Sequence, residues 1–501
     1  MGFKTNINES ISNDNVGIGG VPVDGNDKLQ VNGALLATSI KKAGGISSEF
    51  LKSDGSVENY SFKSLAYGQT YTDNYRTRVL NDLGQSHPSD TPFVLGNLHN
   101  QNLLQKASLI ITPSGTNISK LYSVKPQNGS GDMTVVRATT ATRVNEDGLI
   151  ESVASNVPRI DYTDSPSVLI EPQRTNLNLY SNEFLNNYWD KAASNVVFFP
   201  SITNPQNTGS FKIVENTTNS FHSIFLSAIP VVVGNTYTRS VFAKSAGRNI
   251  ISLFLLNNSG LRAYFNLDTI SVLTVSGGIT AKIEDAGDGW RRCSITTTAL
   301  SANIGSLAIE LSKEDNIFSY QGDGVSGAYV FGAQFEQGSN ATSYIPTVAA
   351  SVTRNADVIS KTGISDLIGQ TEGTMFVDVN LDTRNNFTYL FLNDGNYSNY
   401  IGFVFRENSI EFEIVKEDGL QCSIVLNNTS KGRFKIAGAY INNDFIFYVN
   451  GNLIGTDNLG IIPATSKIEL FYNTSNIMKY NSVSLYKTRL SNAELATLTT
   501  L

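Results

Sequence analysis

The sequence predicts an all-β protein, an N-terminal fibrous stalk segment followed by two antiparallel β-sandwich domains. Three observations predict it. From residue 126 onward, period-two or continuously apolar runs such as "NVVFFPSI", "YTRSVFAKS" and "NIISLFLLN" recur at intervals of about 8 to 12 residues between Asn, Gly and Asp turns, a spacing that suits antiparallel sandwiches and not βαβ units. The first sixty residues are different: short alternating runs broken by glycine pairs, with Leu29, Val31, Leu35 and Ile40 too few to close a core within one chain. The chain has 501 residues, more than one ordinary core holds at roughly 100 to 200 residues per domain.

In chain order, residues 1–60 form the stalk segment, which is stable if identical chains share its apolar face; a disordered tail is the alternative. Residues 61–165 are a mixed connecting region. Within it "TDNYRTRVLNDLGQ" suits a short helix and "LLQKASLIITPSG" contains one buried-type strand. A first sandwich is expected over 166–364. A second occupies 365–501, where "GTMFVDVNLD", "YIGFVFREN", "SIEFEIVKED" and "FIFYVNGNLIG" are alternating strands joined by short turns. Asn450-Gly451 supplies the two positive-φ positions of a tight hairpin. Only "LSNAELATLT" has helix character, with Ser491 as N-cap and Glu494 completing a capping box.

Composition narrows the function. Hydrophobic residues make up 40% and charged residues only 16%, so solubility rests on hydroxyls and amides, as on β-rich extracellular surfaces. A net charge of −7 provides no basic patch for a phosphate backbone, and nucleic acid is not an expected partner. Cys293 and Cys422 fall in different modules, which excludes a disulfide framework. There is no signal-peptide core at the N-terminus and no run of about 18 apolar residues, so neither export by that route nor membrane insertion is expected. Asn6 stands where a myristoylation motif wants Ser or Thr. A virion protein released by host lysis reconciles an exported-looking surface with the missing export signal.

Resemblances sharpen this. "GTMFVDVNLD", "FIFYVNGNLIG" and "VSLYKTRLSNAELATLT" resemble the laminin G-like, concanavalin A-like sandwich. "LIEPQRTNLNLYSNEF", "YTRSVFAKSA", "DAGDGWRRCSIT" and "VFGAQFEQGSNATSYIPT" are similar, in the same order, to a jelly-roll β-sandwich of bacteriophage tail proteins related to carbohydrate-binding modules. "VGIG", "KLQVNGALLATS" and "GGISSEFLKSDGSV" resemble stalk segments of tailed-phage fibres, notably in phages of Bacteroidota including the crAss-like group. The resemblance implies a homotrimeric virion surface fibre, held by other virion proteins through its N-terminal region and recognising host-surface polysaccharide. A head fibre or capsid decoration protein with glycan affinity is one alternative, a glycan depolymerase another, and a secreted bacterial adhesin a weaker one.

Candidate chemistry is sparse. Sugar rings stack on aromatic faces while their hydroxyls bond to amides and carboxylates, and "NDGNYSNY" offers Asn396, Tyr397, Asn399 and Tyr400; a hairpin tip with partly buried tyrosines is the alternative. Trp189 in "NNYWDKA" is a second stacking candidate, with core packing as its alternative. Asp394 is a candidate calcium ligand, although Asp-Gly turns arise for backbone reasons alone; no other cofactor is expected. No enzyme activity is expected. Glu284, Asp285 and Asp288 crowd one turn, and Glu411 and Glu413 share what reads as an exposed sheet face. His222 reads as a satisfied sheet histidine, and His87 and His99 accompany no catalytic motif. Asn340-Ala341-Thr342 fits a glycosylation sequon, but in a chain this rich in Asn, Ser and Thr such patterns arise by composition, as at Asn117, Asn216, Asn386 and Asn473.

Overall fold

The computed structural model describes residues 101–501, apart from 258, 385, 386 and 473–475, together with four short strands nearer the N-terminus. The chain divides into two compact units, 1–69 and 70–501. In the first, Ile11–Ser12 pairs antiparallel with Asn15–Val16, and Glu49–Leu51 with Val57–Asn59. The remainder of the expected stalk, the helix expected over 72–85, His87 and His99 lie outside the described residues.

The second unit is all-β with two sandwiches, as the sequence predicts. The middle sandwich stacks a seven-stranded sheet on a six-stranded one. Alternation along Ile250–Asn257 and Asn303–Ser312 turns Ile251, Leu253, Leu307 and Ile309 inward to meet Val241, Cys293 and Ile295 of the other sheet in one core. Period-two burial of this kind fixes register, because a one-residue slip would put every one of these side chains in water. His222 is fully buried, with Nδ1 2.6 Å from the Ala193 carbonyl and Nε2 3.1 Å from that of Tyr320. It is the satisfied sheet histidine that the sequence suggests.

The other sandwich is a single 16-stranded sheet that folds back on itself. Phe403 and Phe412 come from one end of the strand order and Phe447 from the other. Across the core, the ring centroids of Phe403 and Phe412 lie 6.0 and 6.1 Å from that of Phe447. Burying one such ring contributes about 1.5–3 kcal/mol. Four strands of this sheet, Ala107–Asn117, Lys120–Lys125, Met133–Val136 and Ile160–Asp161, come from the stretch that the sequence leaves as connecting chain. Ala107–Asn117 pairs antiparallel with Met478–Tyr486, and Met133–Val136 with Val358–Thr362.

The middle sandwich is inserted into this sheet's sequence. The chain leaves through Arg174–Asn176 and returns through Val352–Arg354, and these two segments pair antiparallel. A buried charge cluster ties the crossing together. Asp357 accepts from Arg137 Nη1 at 2.8 Å, from the Glu171 backbone N–H at 3.0 Å and from Arg159 Nη2. Glu171 in turn faces Arg159 and Arg354, each at 2.7 Å, and accepts from Ser343 N–H and Oγ at 2.8 and 2.6 Å. Taking such charges out of water is costly unless every lone pair is answered, which this arrangement largely achieves.

The C-terminal helix, Asn492–Thr499, begins as the sequence predicts: the Ser491 side chain accepts from the Glu494 N–H, and the Glu494 side chain accepts from the Ser491 N–H. Leu495 and Leu498 pack with Ile110, Tyr122 and Tyr448 against the outer face of the sheet. Asn450 and Gly451 have φ of 50° and 80°, the two positive values that the expected hairpin requires. Both cysteines are free and buried.

Candidate functional site

The hairpin of Thr388–Asn393 and Tyr400–Phe405 carries the loop that the sequence singles out. Leu390, Leu392, Ile401 and Phe403 point into the core. The alternate positions Tyr389, Phe391 and Tyr400 therefore share the outer face. There they build an aromatic cluster with Phe387 and Tyr397. Tyr389 lies 5.5 Å from Phe387 and from Phe391, and Phe391 lies 5.8 Å from both Tyr397 and Tyr400. These are edge-on arrangements, the geometry that aromatic quadrupoles prefer. Phe391 is only 2% exposed, whereas Phe387 and Tyr397 are 41% and 46% exposed. Gly402 makes this possible: a Cβ there would lie 2.4 Å from Phe391 Cβ.

A polar strip borders the rings. The Tyr400 hydroxyl donates to Glu413 at 2.7 Å, and Arg406 reaches Glu411 at 2.9 Å and Glu413 at 3.1 Å. Glu411 and Glu413 do share a face, but they are buried, 8% and 7% exposed; the expectation of an exposed pair fails because Arg406, Tyr400 and Ser409 close around them. Burial, then the hydrogen bond to Glu411, pushes the Glu413 carboxyl above its ordinary range.

The loop residues have separate duties. Asp394 accepts from the Asn396 N–H at 2.8 Å and from Asn399 Nδ2 at 2.9 Å. Asn399 Oδ1 accepts from the Glu417 N–H at 3.0 Å. Asn396 Oδ1 faces the Ser398 N–H at 3.4 Å. Asp394 and Asn399 thus shape the turn that presents Tyr397. Among the described residues no three His, Cys, Asp or Glu side chains gather as a metal ion would require.

Trp189 does not belong to a binding face. It is 1% exposed, lies 5.0 Å from Phe184 and donates from Nε1 to the Tyr180 carbonyl at 3.1 Å. Burial in the core and the satisfied N–H leave no face for a sugar, so the stacking candidate is corrected to a core residue. Glu284, Asp285 and Asp288 each pair with a cation, Lys282, Arg291 and Lys244 respectively, at 2.6, 2.5 and 3.1 Å. Sequence reasoning misses Phe387, Tyr389, Phe391 and Arg406, although the i, i+2, i+4 aromatics of "FTYLF" carry the signal.

No family model and no curated protein matches this sequence. Among solved structures, the carbohydrate-binding module CBM40 of the Ruminococcus gnavus IT-sialidase, bound to α2,3-sialyllactose, is similar with TM-score 0.24 and 16% identity over 26% of this chain and 84% of that one. The receptor-binding domain of a botulinum neurotoxin C/D mosaic serotype has TM-score 0.24 and 11% identity over 28% of this chain and 40% of that one. The NanB sialidase from Streptococcus pneumoniae has TM-score 0.24 and 16% identity, and the match spans 28% of this chain and 26% of the sialidase.

Proposed function

We propose that this chain is a surface fibre protein of a tailed-bacteriophage virion that binds host-surface polysaccharide without cleaving it. The observation that carries the glycan reading is the outer-face cluster, where exposed Phe387 and Tyr397 flank buried Phe391 beside the Arg406, Glu411 and Glu413 strip. A pyranose ring would set its C–H face on Tyr397 and its hydroxyls against the strip, one apolar platform with a few placed polar groups. The virion assignment rests on the order of fibre-like segments in the sequence. It includes a homotrimer anchored by its N-terminal region to other virion proteins.

The test is calorimetric titration of the purified full chain with host capsular polysaccharide. Tyr397→Ala should weaken binding by roughly tenfold, while reducing ends stay at the level of boiled protein. Undiminished binding by Tyr397→Ala would refute the site, and reducing-end release would refute the non-enzymatic reading. Antibody that labels no intact particle would overturn the virion assignment, label confined to the capsid would favour the head-fibre alternative, and a monomeric mass by light scattering would overturn the trimer.

A further inference from the structure

A cleft of about 800 Å³ opens where the two sandwiches meet. That size is typical of small-molecule sites, which favour domain interfaces. One wall is the outer face of Thr280–Asp285 and Trp290–Thr298 in the middle sandwich, with Lys282, Arg292 and Thr296 facing it. The other is formed by Asp382, Lys431 and Lys479 of the C-terminal sandwich. Tyr162, half-buried, and the loop 339–343 close one side.

Five carboxylates and five cations line the cleft, but they are not paired one to one. Every carboxylate that lines the cleft already has a cation. Asp161 and Asp382 hold Lys479 at 3.2 and 3.6 Å, Glu284 holds Lys282, Asp285 holds Arg291, and Glu171 holds Arg159. Arg143 is taken by Glu151 at 2.6 Å. Two lining cations remain without a carboxylate within 4 Å among the described residues. Arg292 donates from Nη2 only to Ser240 Oγ, at 3.0 Å, and lies 5.1 Å from the Phe242 ring centre; Lys431 is exposed on the opposite wall.

We infer that this cleft is a second saccharide site, which takes an acidic oligosaccharide whose carboxylates pair with Arg292 and Lys431. Hydroxyl side chains at Thr280, Thr296 and Ser339 line the space between, which suits sugar hydroxyls, and Tyr162 offers an aromatic edge. One cation on each wall fits charges repeated along a chain. The inference uses none of the outer-face residues and stands without them.

The experiment titrates full-length Tyr397→Ala protein, in which the outer face is disabled, with oligogalacturonate, oligomannuronate and a hyaluronan tetrasaccharide. Fully methyl-esterified oligogalacturonate is the neutral control. At least one acidic oligosaccharide should bind, and the ester should bind at least roughly tenfold more weakly. Arg292→Gln and Lys431→Gln should each weaken the acidic ligand by roughly tenfold, with unchanged circular dichroism, while Arg292→Lys retains part of the affinity. The inference is overturned if none of the three acidic ligands binds, if acid and ester bind equally, or if the Arg292→Gln/Lys431→Gln protein binds as its parent does. Failure of Tyr397→Ala to affect polysaccharide binding would sink the outer-face proposal alone.

Discussion

Asp357→Asn is the most informative perturbation of the crossing between the sandwiches. Three guanidiniums, those of Arg137, Arg159 and Arg354, face two carboxylates, Glu171 and Asp357, which leaves an excess of one positive charge. The substitution makes that excess two, in a place where the side chains of Arg137 and Arg159 are 0% exposed. Leaving buried charge without its partner costs about 3–5 kcal/mol. An exposed pair such as Lys282 with Glu284 gives the contrast, since breaking it costs at most about 1 kcal/mol. Both tryptophans, Trp189 and Trp290, belong to the middle sandwich and its flank. Urea unfolding followed by tryptophan fluorescence therefore reports that part, and circular dichroism reports the whole. A loss below about 1 kcal/mol by both signals, no larger than for Lys282→Gln, would refute the argument that this cluster holds the crossing. Acid should act on the same cluster: burial opposes ionisation of Glu171, but Arg354 and Arg159 outweigh it and hold its pKa far below the ordinary 4.5. Its contribution is present above that value and is lost as pH falls toward the depressed pKa.

Three further outcomes are expected. Arg239 is 1% exposed, its guanidinium nitrogens have no hydrogen-bond partner among the described residues, and burial pushes its pKa down to about 9; Arg239→Met should stabilise the middle sandwich by about 1–4 kcal/mol in urea titrations, and a loss would show that the charge is needed. Gly402→Ala drives a methyl into Phe391 Cβ and the Leu390 carbonyl at 2.4 and 2.5 Å; it should cost about 1–3 kcal/mol and reduce polysaccharide affinity, and unchanged melting and binding would contradict the packing described. Glu413 has a raised folded pKa, so its stabilising contribution is full below the ordinary value and is lost as pH rises through the raised one. Glu413→Gln removes that loss, and its stability curve should meet the parent's in acid and lie above it at neutral pH; a less stable variant at neutral pH would refute the sign.

Periodicity makes the two sandwiches legible, because "NIISLFLLN" and "SIEFEIVKED" can bury only one side of a sheet at a time. Ser491 with Glu494 and Asn450 with Gly451 are legible for a local reason: a cap and a turn are settled by residues within a few positions. The partner of Ala107–Asn117 is not legible, since pairing with Met478–Tyr486 joins strands more than 360 residues apart and leaves no local trace. The same reason hides the cleft, whose walls come from distant segments. Trp189 shows the limit for aromatics, as stacking and core packing call for the same residue type. The exposed reading of Glu411 and Glu413 fails because the cover, Arg406 and Tyr400, comes from neighbouring positions of another strand and its flank.

The side-by-side crossing of Arg174–Asn176 and Val352–Arg354 has an evolutionary consequence. Adjacent strands are about 4.8 Å apart, so a cassette bounded there can be exchanged by recombination at two points without disturbing the 16-stranded carrier. The middle sandwich is then replaceable as a unit, provided that the newcomer brings a serine or its equivalent to answer Glu171.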